Sequence, residues 1–339
     1  MRRFLIITAA IVLVLLGLYS VAWFYASSVV QAEIQRQLTV ADAQGVTIER
    51  LDPRITGFPF SFGVVADDVA LTHASGLSWS GGTIDGRVSI FAPTTVRIDI
   101  PTPQDFRLDP VAGGPPVTVV VGAARGFATA TLDQTLDRAR LDVDDVALSA
   151  PGLPAMQMAA LRANVQSGTA DDGAPALGID VVAQSIGLDP SPVPGLGALI
   201  DSVFADLVVV GPVPTQVNAR QLAAWRDADG LLRIETAGFS WGEVSLRVTG
   251  DLMLNEDLQP EGTLTVTIRG HGRLIDAAID AGLIGAAEAG LASFGLAALA
   301  RPDENGVLQI QAPLTVRNRA IQVGGVPLPI RLPPIAWPR

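Results

Sequence analysis

Residues 243–270, EVSLRVTGDLMLNEDLQPEGTLTVTIRG, decide the fold class of this chain of 339 residues. Apolar and polar residues alternate along 244–249 and again along 263–269. A period of two places the apolar side chains of a strand on one face and the polar ones on the other. Between these runs, DLML predicts a further short strand and NEDLQPEG a polar turn. The stretch therefore predicts neighbouring antiparallel strands, each with one apolar face.

The same alternation recurs through the rest of the chain after residue 45, with Gly, Pro, Asn and Asp between the runs. We predict a mainly β (α+β) body over 46–339, built as a curved, mostly antiparallel sheet with a few packed helices. GLSW at 76–79 and GFSW at 238–241 suggest two similar halves, about 46–190 and 191–339. The further alternating runs are VTIERL, TTVRIDI, FATATL, LRANVQ, LGIDVVA, LLRIET, VLQIQ and LTVRNRAIQV.

Two helices are predicted within the body. The first, over 214–230, would turn Val217, Leu222 and Trp225 inward and end at Gly230. The second, over about 273–300, is rich in Ala and Gly. Because carboxylates are costly inside a bilayer, those of the second helix favour a helix packed on the sheet over a membrane span. These carboxylates belong to Asp276, Asp280 and Glu288.

The N-terminal segment predicts the compartment. Residues 4–25, FLIITAAIVLVLLGLYSVAWFY, carry no charge and match the length of about 20 residues that spans a bilayer. Arg2 and Arg3 precede the run, which places the N-terminus in the cytoplasm and the body in the periplasm. We predict a transmembrane helix within 1–26 and a helical extension over 27–45. A twin-arginine export signal is the weaker alternative.

Composition excludes several chemistries. The chain has no Cys, and all 23 of its basic residues are Arg, so thiolate, iron–sulfur and lysine-based sites are absent. The net charge of -11 opposes binding to nucleic acid, which requires a basic surface. The lipid bilayer, a lipid ligand and envelope proteins remain as candidate partners.

Acidic and histidine residues indicate no enzyme site. Asp142 and Asp144 share a strand face, where a solvated surface is favoured over a calcium or acid–base site. His73 and His271 are 198 residues apart and are interpreted as loop or cap residues. No dinucleotide fingerprint or nucleophile elbow is present. We therefore predict a protein that is not an enzyme, with no catalytic or metal-binding residue and no cofactor.

An aromatic cluster supplies the candidate binding residues. In RITGFPFSFGV, at 54–64, Phe60 and Phe62 would share one strand face, and Phe58 would precede Pro59 at a shaped corner. A packed corner is favoured over the lip of an apolar groove near the membrane, and an active site is discarded. The predicted lipid- or partner-binding residues are Phe58, Phe60, Phe62, Trp79 and Trp241.

Several motifs together carry a family resemblance. They are the N-terminal anchor, GFPF at 57–60, GFSWG at 238–242, PEGTLTVTIRG at 260–270 and GGVPLPIRLPPIAW at 324–337. With them the chain resembles a family of uncharacterised, membrane-anchored bacterial envelope proteins, catalogued as a domain of unknown function. More loosely, its architecture is similar to the AsmA-like group. That similarity implies an apolar β groove and a role in envelope lipid homeostasis, although 339 residues are too few to bridge a periplasm.

Two functions of different classes follow. In the first, an inner-membrane-anchored periplasmic protein binds lipid acyl chains on the apolar face of its sheet. In the second, the same anchored protein has a dry, packed core and serves as a structural or assembly factor for an envelope complex. An open apolar trough favours the first function, and interdigitated side chains favour the second.

Overall fold

A computed structural model describes residues 45–109, 115–133, 135–170, 173–214, 217–280, 300–304, 306–324 and 326–338, and single positions at 20, 23, 28, 31, 32, 36, 39 and 285. The chain divides into two compact units, Met1–Leu132 and Asp133–Arg339. The two similar halves suggested by the GLSW and GFSW motifs, about 46–190 and 191–339, stay a prediction.

Unit 1 is an antiparallel sheet whose middle strands are interrupted. Two long strands each pair with two shorter ones placed end to end: β2 with β4 and β3, and β7 with β5 and β6. The first strand, β1, pairs with β2. The strands are β1 (Val46–Thr56), β2 (Ser61–His73), β3 (Leu77–Gly81), β4 (Ile84–Ser89), β5 (Ala92–Ile100), β6 (Gln104–Leu108) and β7 (Val117–Ala130).

A buried amide side chain, that of Gln104, lies at the break between strands β5 and β6. Gln104 is only 2% exposed, and its Oε1 accepts a hydrogen bond of 3.0 Å from the indole of Trp79. Its Nε2 donates to the carbonyl of Thr102 at 3.1 Å. A Cβ at Gly81 would lie 1.9 Å from this Oε1, so a larger residue there would displace the Gln104 amide. Gln104 thus satisfies polar groups where the regular ladder is broken.

Unit 2 is also antiparallel, and successive strands from β8 to β14 pair with one another. Strand β14 pairs with β16, β16 pairs with β17, and β17 pairs with β18. The two-residue strand β15 also pairs with β16. The strands are β8 (Leu136–Ser149), β9 (Ala155–Thr169), β10 (Pro175–Asp189), β11 (Leu199–Val210), β12 (Leu231–Trp241), β13 (Val244–Leu254), β14 (Pro260–Arg269), β15 (Arg301–Pro302), β16 (Leu308–Arg317), β17 (Ala320–Val323) and β18 (Val326–Arg331).

The observed sheets confirm the predicted mainly β, antiparallel class. Two details of the prediction are wrong. DLML is the second half of β13 and not a separate strand. LTVRNRAIQV is a hairpin, because Asn318 and Arg319 both take positive φ and form a two-residue turn between β16 and β17.

The described helices are short. Helix α1 (Ala219–Asp227) buries Leu222 and Trp225, as predicted, while Val217 precedes the helix. Helix α2 (His271–Asp280) covers the start of the second predicted helix, and most of 281–299 lies outside the described residues. The described positions between 20 and 39 are helical.

Membrane crossing is not seen in the described part of the chain, where no helix is long and apolar enough for it. The predicted span over 4–25 lies outside that part, apart from positions 20 and 23.

One face of the unit 2 sheet is apolar across several strands. Register aligns Leu141, Ala163, Val181 and Ala205, which belong to four adjacent strands. Further rows on the same face are Val143, Leu161, Ala183, Val203, Phe239, Leu246, Ile268 and Ile310, and Ala139, Val165, Ile179, Leu207 and Ile234.

Three strands change their apolar side at a residue with positive φ. In β8 the apolar positions are odd from Ala139 to Val143 and even at Val146 and Leu148, and Asp145 between them has a φ of 55°. Because strand side chains alternate, positions three residues apart face opposite sides. The same change occurs in β2 around Asp68 (φ 53°) and in β10 around Ser185 (φ 52°). ADDVAL at 66–71, VDDVAL at 143–148 and AQSIGL at 183–188 thus share a positive φ at their third residue.

Candidate functional site

The candidate site is an apolar cavity of about 320 Å³ in unit 2. It lies between α1, strands β10 to β14, and the C-terminal strap, which comprises residues 332–338. Its volume is at the lower end of the range of about 300–1,000 Å³ found for small-molecule sites. None of its lining residues is ionisable: Leu177, Ile179, Val209, Val213, Pro214, Val217, Leu222, Trp225, Leu232, Leu252, Met253, Leu254, Pro260 and Trp337.

The sheet side of the cavity is a row set by strand register. Leu177 is opposite Val209, Val209 is opposite Leu232, and Leu232 is opposite Leu252. Four adjacent strands therefore present branched apolar side chains side by side on one face. This row belongs to the apolar face of unit 2, so the cavity is a covered part of a larger apolar surface.

The helix side of the cavity is anchored by Trp225, which is only 6% exposed. Its indole Nε1 donates to the carbonyl of Val210 at 2.9 Å. The helix begins at Asn218, whose side chain accepts the N–H of Gln221 at 2.9 Å. A Cβ at Gly230 would lie 2.4 Å from the Trp225 ring, so glycine there lets the chain pass close to the indole.

The C-terminal strap closes a third side. Its Trp337 donates from Nε1 to the carbonyl of Leu258 at 2.8 Å. Gln259, 8% exposed, binds the backbone of Ile335 twice, accepting its N–H at 2.9 Å and donating to its carbonyl at 3.0 Å. The carbonyl of Pro338 accepts the N–H of Ala219 at the start of α1. The strap therefore joins α1 to the β13–β14 hairpin.

The mouth of the cavity carries two exposed apolar side chains. Val217 is 63% exposed and Met253 is 56% exposed, although both line the cavity. The prediction that Val217 faces inward from a helix is therefore wrong, because Val217 lies before the N-cap and at the opening. Exposed apolar side chains at a pocket rim are typical of a surface that receives an apolar ligand or partner.

None of the five residues predicted as binding residues lines this cavity. Phe58 and Phe62 instead pack on Trp23, with ring centroids 5.3 Å away in both pairs, edge-on for Phe58 and stacked for Phe62. Trp23 is 6% exposed and donates its Nε1 to the carbonyl of Ser61 at 3.1 Å. The peptide bond between Phe58 and Pro59 is cis.

The prediction that Phe60 and Phe62 share one strand face is wrong. Phe60 lies in the turn before β2. Its ring stacks on Phe91 with centroids 6.1 Å apart. Trp79 lies in unit 1, where its ring stacks on Phe106 with centroids 5.7 Å apart. Its indole donates a hydrogen bond to Gln104. Trp241 lies at the end of β12 in unit 2, where its buried Nε1 has no hydrogen-bond partner among the described residues.

Residues Asp142 and Asp144 lie in β8, and Asp142 forms ion pairs. Asp142 accepts hydrogen bonds from Arg140, its neighbour two residues before, and from Arg162, directly opposite in β9. The two hydrogen bonds from Arg140 above all, and the one from Arg162, lower the pKa of Asp142 to about 2. Within the described residues, no group of three or more His, Asp or Glu is placed to hold a metal ion.

An Asp142→Asn substitution is expected to weaken the acid sensitivity of unit 2. A carboxyl group with a lowered pKa stabilises the fold above its unfolded pKa of about 3.9, and that contribution is lost as the pH falls toward 2. The variant should therefore show a smaller drop in urea midpoint between these pH values than the wild type. Asp144→Asn is the control, since Asp144 makes no ion pair among the described residues. Equal pH profiles for both variants would contradict the expectation.

The fold and the cavity define a class of mainly β protein with an uncharged, small-molecule-sized cavity on the apolar face of an antiparallel sheet. The chain belongs to the family described as uncharacterized protein conserved in bacteria (DUF2125), whose model matches residues 23–330. No curated protein and no solved structure matches the chain. The resemblance to an uncharacterised bacterial family is therefore confirmed, and the looser similarity to the AsmA-like group stays a prediction.

Proposed function

We propose that this protein is anchored in the bacterial inner membrane, carries its body in the periplasm and binds lipid acyl chains in the apolar cavity. The observation that carries this proposal is the cavity lining, in which no residue is ionisable. Each methylene group transferred from water into such a lining gains about 0.8 kcal/mol. A charged or strongly polar ligand would lose its hydration there without compensation.

The proposed anchor follows from the N-terminal sequence. Residues 4–25 are uncharged, and Arg2 and Arg3 precede them. This arrangement favours an N-terminus in the cytoplasm. An acyl-chain site on the periplasmic body of an anchored protein has a supply of ligand in the adjacent bilayer, which supports a role in envelope lipid homeostasis.

A Val217→Glu variant is expected to bind acyl chains at least about tenfold more weakly than the wild type, because a carboxylate at the mouth must lose hydration when a chain enters. The assay is quenching of tryptophan fluorescence by brominated fatty acid added to the full chain in mild detergent. Trp225 and Trp337 line the cavity and report on contact with bromine. Mass spectrometry of the purified wild-type protein should also show retained phospholipid.

Leu153→Glu is the matched control. Leu153 is 63% exposed, as Val217 is, and lies in a turn of unit 2 away from the cavity lining. Quenching that is equal in the wild type and both variants, together with a lipid-free preparation, would overturn the proposal. That result would favour the alternative, a structural or assembly factor with a dry core.

A further inference from the structure

Unit 1 carries an exposed apolar projection, the aromatic tip, formed by Phe60, Ile90 and Phe91. Their exposed fractions are 61%, 37% and 80%. The Phe60 and Phe91 rings stack at 6.1 Å, and the N–H of Ile90 donates to the carbonyl of Phe60 at 3.1 Å. The β1–β2 turn and the β4–β5 turn are thereby joined into one projection.

The sequence around the aromatic tip is uncharged over 55–66 and over 88–96. A fourth apolar side chain, Leu132, is 93% exposed at the same end of the sheet, since β7 ends there beside β5 with Thr129 opposite Thr95. Large exposed apolar side chains clustered at one end of a sheet mark an interaction surface. With no basic residue in these two segments, attraction to anionic headgroups does not explain the cluster.

Trp23 connects the aromatic tip to the N-terminal segment. Phe58 and Phe62, which flank Phe60 in sequence, pack directly on the Trp23 ring. Trp23 is the third residue from the end of the uncharged run over 4–25. Tryptophan at that end of a membrane span lies at the level of the lipid headgroups. The aromatic tip is therefore held close to the point where the chain leaves the bilayer.

We infer that the aromatic tip inserts into the interface of the bilayer that holds the N-terminal segment, giving unit 1 a second contact with the membrane. This inference rests on the proposed membrane anchor. Aromatic rings favour the headgroup region, and apolar groups at an interface bury about 5–10 Å deep. The contact would fix the orientation of unit 1 against the bilayer, which a single helix leaves free to rotate.

A site-specific fluorophore tests this inference in the full chain, because the sequence contains no Cys to compete for the label. Phe91→Cys, labelled with an environment-sensitive dye, is reconstituted in vesicles of equal parts phosphatidylcholine and phosphatidylglycerol. Ala74→Cys is the control, exposed at the far end of β2. The 13 residues of β2 separate the two ends by about 40 Å. We expect a blue shift and loss of intensity with brominated phospholipid at Phe91 and neither at Ala74.

Flotation of the vesicles separates failure of the inference from failure of the anchor. If the protein floats and the Phe91 label stays in water, the aromatic tip is not a membrane contact. A blue shift without quenching by bromine indicates a protein neighbour and also overturns the inference. Protein that does not float overturns the anchor and the inference together. Adding Phe60→Ser to the labelled chain should reduce the blue shift while the protein still floats.

Discussion

A Gly238→Ala variant is expected to lose about 3 kcal/mol of the free energy of unfolding of unit 2. An added Cβ would lie 1.9 Å from the carbonyl oxygen of Leu246 and 3.1 Å from the Cα of Arg247. Both are backbone atoms of β13, so the collision cannot be relieved by turning a side chain. Strands β12 and β13 must separate locally, and denaturant unfolding followed by circular dichroism measures the loss.

Register explains why a glycine stands at this position. Gly238 lies between Phe204 of β11 and Arg247 of β13, directly opposite both. The Arg247 guanidinium passes above the Phe204 ring, 5.9 Å from its centroid. Local separation of β12 and β13 would also move Arg247 away from Phe204 and weaken a contact of about 0.5–1 kcal/mol at an exposed site.

Gly168→Ala is the matched control for Gly238→Ala. Gly168 also lies in a strand of unit 2, and an added Cβ would meet nothing within 4 Å. Alanine there should be neutral or slightly stabilising, because it restricts the unfolded chain. A similar loss at both positions would show that the effect is general to glycine in these strands, against the expectation of a local collision.

Trp225→Ala is expected to cost about 3–5 kcal/mol of unfolding free energy and to abolish acyl-chain retention. The indole is 6% exposed, so its removal leaves a void between α1 and the sheet. The carbonyl of Val210 also loses its donor. Helix α1 would then lose the larger of its two buried side chains, and the covering side of the cavity would open. Unfolding in urea and lipid content by mass spectrometry measure the two effects.

Trp225→Phe separates packing from hydrogen bonding. Phenylalanine keeps most of the apolar contact and loses the bond to Val210, so we expect a cost of about 1 kcal/mol and retained lipid. If alanine is no worse than phenylalanine, the indole does not support the cavity, and the role given to α1 is wrong.

Periodicity alone predicted the β class and part of the cavity. The alternation in 244–249 and 263–269 matches the observed β13 and β14. Leu222 and Trp225 were correctly placed inward because they are spaced for one face of a helix. Val217 was misplaced because the helix begins later, at the Asn218 cap, which is itself a readable signal.

Other parts of the site depend on contacts distant in sequence. The row of side chains that lines the cavity runs from Leu177 to Leu252 across three strand pairings. No local sequence pattern encodes the order of these strands in the sheet. The contact of Trp23 with Phe58 and Phe62 likewise spans a long sequence separation. Similarity between ADDVAL and VDDVAL was available in the sequence, but its meaning depends on the positive φ of the second Asp, which composition does not reveal.

The change of apolar side in β8 and β10 also bears on how these strands find their partners. Strands of 14 and 15 residues with uniform alternation can slide by two residues and keep every apolar side chain on its proper face. The change of apolar side removes this freedom. A strand that had slid by two residues would place apolar side chains beside polar ones near Asp145 or Ser185. These two positions therefore fix the register of β8 and β10 with their neighbouring strands during folding. They distinguish the native register from registers shifted by two residues.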